Sequence, residues 1–112
     1  MTRRAKLYLK DIIDAIENIE SYTKNVTFAR FSHNKMVQDA VIRNIEIIGE
    51  AAKHLPADIK SPHKEIPWQE IQGMRNKVIH EYFGVDLDIV WKTIRQSLPI
   101  LQKSLKKAFK NL

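Results

Sequence analysis

The sequence predicts an all-α fold: an antiparallel up-and-down bundle of four to five helices, built as a single domain over residues 1–112. Three observations predict it. Apolar residues recur at spacings of three and four along nearly the whole chain, which gathers them on one side of a helix. No segment shows the period-two alternation of a half-buried strand. Pro, Gly and short polar side chains stand where helices start and stop.

The first helix is expected from Ala5 to about Tyr22, with Leu9, Ile12, Ile13, Ile16 and Ile19 forming its apolar stripe. A polar break at Asn25 and Thr27 leads to Phe28 and Phe31, and Ser32 offers an oxygen suited to capping a second helix from about His33 to His54. Val37, Val41, Ile45, Ile48 and Ala52 make its stripe, and Leu55 closes the end. Gly49 within it costs about 1 kcal/mol relative to Ala, which points to a close helix approach. From Pro56 to Glu65 there are two prolines, mixed charges and no periodicity, so this reads as the one substantial loop.

Pro67 suits the first turn of a third helix, because no backbone donor is needed there. That helix carries Trp68, Ile71, Met74, Val78 and Tyr82 and is expected to stop near Gly84. Asp86 is placed to cap a fourth, which begins with Leu87, Ile89, Val90, Trp91 and Ile94. Pro99 should kink or split it before Leu101, Leu105 and Phe109 resume the apolar face.

Composition narrows the function classes. Lys and Arg outnumber Asp and Glu by 19 to 13, a net charge of +6, which permits a polyanionic partner without demanding one. With no cysteine, disulfides, Cys-ligated zinc and thiol nucleophiles are all excluded. A reducing cytoplasm is the expected location. No export signal and no long apolar stretch is visible, so no membrane association is expected.

The segment Arg75-Asn76-Lys77-Val78-Ile79-His80-Glu81-Tyr82 concentrates the chemistry: a permanently charged guanidinium, an imidazole that titrates near neutrality, and a phenol. Cleaving RNA without a metal needs a base for the 2′-OH proton, an acid for the leaving 5′-oxygen, and a cation for the phosphorane charge. His80 suits either proton transfer and Arg75 the charge. One histidine supplies only one such group, and on a single straight helix Arg75 and His80 fall roughly 140° apart. A twofold dimer would bring two arginines and two histidines into one cleft. The alternative, that Arg75 pairs with a nearby acid and His80 packs at a helix end, is favoured by spacing alone.

Residues 75–82 resemble the Arg-x4-His-x-Tyr motif of HEPN-domain toxins of the HepT type, with the polar Asn76 directly after the arginine. Two more blocks resemble the same family: Arg43-Asn44-Ile45-Glu46-Ile47-Ile48-Gly49-Glu50-Ala51-Ala52, and Ile66-Pro67-Trp68 leading into the motif. The likeness runs through nearly the whole chain in order and length. It implies a HEPN-like fold and a metal-independent endoribonuclease acting on RNA such as tRNA or mRNA. The active site is implied at a homodimer interface, with Arg75 and His80 catalytic and Asn76 in support. It further implies a toxin neutralised by a minimal nucleotidyltransferase antitoxin that adenylylates Tyr82, masks the cleft, or does both. No metal or cofactor is expected. The competing reading is a non-catalytic HEPN module that binds a nucleotide or that partner.

Other polar residues take plainer roles. Glu46 and Glu50 are four apart on one helix face, and surface pairing with Arg43 and Lys53 explains them more economically than metal binding, with an electrostatic contact to the cleft as the lesser reading. Asn44, beside the buried stripe, is suited to a bond across the bundle or a dimer. His33, His54 and His63 lack metal-site spacing and are assigned to the surface or to helix ends. Trp68 and Trp91 are able to stack bases, but each falls in an apolar stripe at helical spacing and is assigned to core or dimer packing. Tyr8 and Tyr22 are given no role. The lysines at 103, 106, 107 and 110 complement the final helix dipole, with an RNA-binding patch as the lesser reading.

Overall fold

The computed structural model describes residues 3–80 and 84–111; the side chains at 77–80 and 85 lie outside that description. The fold is all-α, with helical spans in the expected order. Helix α1 is Arg3–Thr23, α2 Phe28–Ser32, α3 Lys35–Lys53, α4 Ala57–Lys60, α5 Trp68–Gln72, α6 Met74–Val78, α7 Leu87–Lys92 and α8 Leu98–Lys110. A two-residue antiparallel ladder joins β1 (Ile79–His80) to β2 (Gly84–Val85), pairing His80 with Gly84.

Helix α1 packs chiefly along α3 and also against α8, while α3 packs in turn on α5 and α6. The stripes read from the sequence form the core: Leu9, Ile12, Ile16 and Ile19 of α1 are fully buried against Val41, Ile45 and Ile48 of α3 and Leu98 and Leu105 of α8. Burying each such side chain contributes about 1.5–3 kcal/mol. A polar link crosses the same face. Asn18 Nδ2 donates to Asn44 Oδ1 at 3.2 Å, and Asn44 Nδ2 donates to the Ala40 carbonyl at 2.8 Å, so the buried Asn44 amide is paired at both atoms.

Several boundaries differ from expectation. Ser32 does not cap the second long helix; it ends α2, a short helix started by Thr27, and donates back to the Ala29 carbonyl. The cap of α3 is Asn34, whose Oδ1 accepts from Val37 N at 3.1 Å. The expected loop at 56–65 is partly helical, holding α4 and a 3-10 turn at Ser61–His63. Burial of Ile59 in the core anchors this segment, which has too few apolar residues to show a period.

The third helix is the main correction. It breaks at Gly73, whose N–H closes α5 on the Gln69 and Ile71 carbonyls, and α6 ends at Val78. The chain then turns extended at Ile79, where adjacent β-branched residues favour strand over helix. Gly84 does adopt the left-handed conformation, φ 79°, but within β2 and not at a helix end.

The fourth span follows the sequence. Asp86 caps α7 by accepting from Ile89 N at 3.2 Å. A π-helical segment, Thr93–Ser97, then interrupts it just before Pro99 in the first turn of α8, as expected where a proline lacks the N–H that a continuous helix would use. Arg95 in this segment donates to the carbonyls of Thr23 (2.9 Å) and Val26 (2.7 Å) and lies 4.4 Å from the ring centre of Trp91. It closes the turn after α1, where Asn25 has φ 59°.

Candidate active site

Gly49 sets the position of the motif helix. A Cβ there would stand 3.3 Å from the Gln72 carbonyl oxygen and 3.6 Å from that of Ile71. The missing side chain therefore lets the end of α5 lie directly on α3. Ile71 and Met74 are buried on the same contact, which turns Arg75 and Asn76 outward on the exposed side of α6.

The guanidinium of Arg75 has two neighbours. Its Nε is 3.8 Å from Glu46 Oε2 on α3, and its Nη1 donates to Asn76 Oδ1 at 3.4 Å. The expected link from Arg75 to an acid is thus present. Glu46 turns to the motif instead of to Arg43, and Glu50 pairs with His54 Nε2 at 3.1 Å instead of with Lys53. The Glu46 contact was the lesser sequence reading because nothing in local spacing relates residues on separate helices.

The backbone of His80 is placed in β1, so the helical-wheel angle between it and Arg75 does not apply, but its side chain lies outside the description. Tyr82 lies outside the described residues.

The other histidines and Trp91 occupy the plain roles expected. His33 and His54 are C-caps of α2 and α3, and His63 lies 3.5 Å from Glu65. His54 stacks on Tyr8, with ring centres 5.2 Å apart. Trp91 packs on Phe31 and Phe28 at 5.1 and 5.9 Å. Trp68 is half-buried, its indole N–H directed to the Lys60 and His63 carbonyls at 3.3 and 3.2 Å. Among the described residues, no three His, Asp or Glu side chains cluster at a metal-binding spacing, and no helix is long and apolar enough to cross a membrane.

An exposed guanidinium steadied by an asparagine and a carboxylate, on a short helix leading into the histidine strand, is equipped to hold a phosphate in a helical frame. The family model described as "Ribonuclease HepT-like" matches residues 12–108. The chain is 50% identical over 107 residues to "Probable ribonuclease HepT" of Thermococcus cleftensis, covering 96% of this chain and 97% of that protein. It is 41% identical over 110 residues to "Putative RNase MJ1216" of Methanocaldococcus jannaschii, covering 98% and 91% of the two. No solved structure matches the chain significantly. This chain belongs to the HepT-like ribonuclease family.

Proposed function

We propose that this protein is a metal-independent endoribonuclease, one domain over residues 1–112, and the toxin of a toxin–antitoxin pair. The observation that carries the reading is Arg75 with Asn76, outward-facing on α6 and five residues before His80, in a chain that matches the ribonuclease family over nearly its whole length. In the proposed reaction, one His80 takes the proton of the ribose 2′-OH while the 2′-oxygen attacks phosphorus. The bond to the 5′-oxygen breaks as the second His80 of a homodimer returns a proton to it, leaving a 2′,3′-cyclic phosphate and a 5′-hydroxyl. The Arg75 guanidinium faces the charge that builds on the phosphoryl oxygens, where a fixed cation is most effective. Asn76 holds that guanidinium in place.

The proposed restraint is a minimal nucleotidyltransferase antitoxin in the same cytoplasm that adenylylates Tyr82. The added phosphate would repel substrate and compete for Arg75.

Purified protein incubated with tRNA or mRNA in EDTA tests the proposal. Cyclic-phosphate ends are expected from the wild type and should vanish in Arg75→Ala and His80→Ala. Equal cutting by both variants refutes the site assignment, and intact RNA with wild type favours a non-catalytic binding module. Mass spectrometry after co-expression with the adjacent gene tests the restraint; adenylate confined to other residues overturns it.

A further inference from the structure

A groove of about 510 Å³ lies between α4 and the start of α5, lined by Lys60, Ser61, Lys64, Trp68 and Glu70 among others. Its volume is in the roughly 300–1,000 Å³ range of sites that take small-molecule-sized ligands. Neither lysine has an acidic partner within 4.0 Å among the described residues. Burial in the groove wall holds the Lys60 ammonium below its ordinary pKa, so an anion arriving there would offset a cost already present. The Trp68 ring is pinned at its N–H edge by the Lys60 and His63 carbonyls and is half-buried, so its remaining surface is held still in the groove.

We propose that this groove is a substrate subsite that takes one nucleotide of single-stranded RNA, its base against Trp68 and its flanking phosphates on Lys60 and Lys64. The proposal rests on the ribonuclease reading. Base–aromatic stacking with nearby cations is the usual chemistry of single-strand binding. Continuity with the candidate active site supports the assignment. Trp68 opens α5 and Arg75 follows on α6, seven residues later and so no more than about 25 Å away. A few nucleotides of single strand cover that span. Glu70 is the one carboxylate among the described lining residues; it repels phosphate, which places the phosphates on the lysine side, and it is able to accept from a 2′-OH or a base amino group.

The test measures binding of a 2′-O-methyl hexaribonucleotide, which lacks the attacking hydroxyl, so affinity is read apart from cleavage. Lys60→Gln with Lys64→Gln should weaken binding about tenfold and shallow the slope of log K against log salt by about 1.4, about 0.7 per lysine. Lys103→Gln with Lys107→Gln removes the same charge from α8 and should change affinity less than about twofold. In a Trp91→Phe background the remaining indole is Trp68, and its emission should be quenched by the oligonucleotide. Unchanged affinity in the Lys60/Lys64 variant, or an equal loss in the α8 variant, overturns the subsite. Cleavage of RNA by wild type together with either result overturns the subsite and leaves the ribonuclease reading standing. Intact RNA with the expected binding losses does the reverse.

Discussion

Arg75 Nε lies 3.8 Å from Glu46 Oε2, a contact that ties the candidate phosphate-binding cation to the neighbouring long helix. The two side chains are 53% and 36% exposed, so the pair adds no more than about 1 kcal/mol to stability. Its value is orientation: with Nε facing Glu46 and Nη1 on Asn76, the rest of the guanidinium fork is aimed outward.

Glu46→Gln should therefore leave the unfolding midpoint nearly unchanged while lowering kcat about tenfold, with KM little affected. A tenfold loss corresponds to about 1.4 kcal/mol of transition-state stabilisation. Faster cutting or tighter RNA binding by the variant would make Glu46 a competitor for Arg75.

Arg75→Lys keeps the charge but loses the planar fork, and a point charge matches neither Asn76 nor a phosphate edge in the same way. Single-turnover cleavage should fall on the order of a hundredfold, with RNA binding reduced far less. Near wild-type cleavage would mean that charge alone suffices.

Gly49→Ala sets a helix-propensity gain of about 1 kcal/mol against crowding of a backbone carbonyl, the Gln72 oxygen 3.3 Å away. Backbone yields less readily than a side-chain tip, and overpacking typically costs about 1–3 kcal/mol. A lower thermal midpoint is expected, and a further drop with Gly49→Val. A raised midpoint for the alanine variant would show that the end of α5 moves freely.

Arg95→Ala removes two charge-assisted hydrogen bonds and the contact with Trp91. As the side chain is largely exposed, urea titration should register a loss of about 1–2 kcal/mol. Arg95→Lys should recover only part of it, because one ammonium reaches both carbonyls less well. A neutral alanine substitution would show that the turn after α1 stands on its own.

The helical stripes were legible because three- to four-residue spacing reports burial directly: Leu9, Ile12, Ile16, Val41, Ile45, Ile48, Leu101 and Leu105 were all named from spacing and are all buried. So was the Asp86 cap, since its oxygen reaches an N–H three residues on. Less legible were Asn34 and Thr27, which compete as caps with the nearby Ser32. The break of the motif helix escaped because Trp68, Ile71 and Met74 keep helical spacing up to Gly73 and beyond.

For the candidate site, Arg75, Asn76, His80 and Tyr82 were singled out by residue type and by family likeness. Gly49 within a helical stripe signals a close approach but not its partner. Its partner proved to be the α5 carbonyls, and Glu46 proved to face Arg75.

Local interactions explain the division. Periodicity, capping and motif chemistry act over a few residues, so the chain alone determined its helical class, its core stripe and the residue types of its candidate site. Contacts between separate helices depend on how whole faces pack, and those contacts brought Glu46 to Arg75 and seated α5 on Gly49.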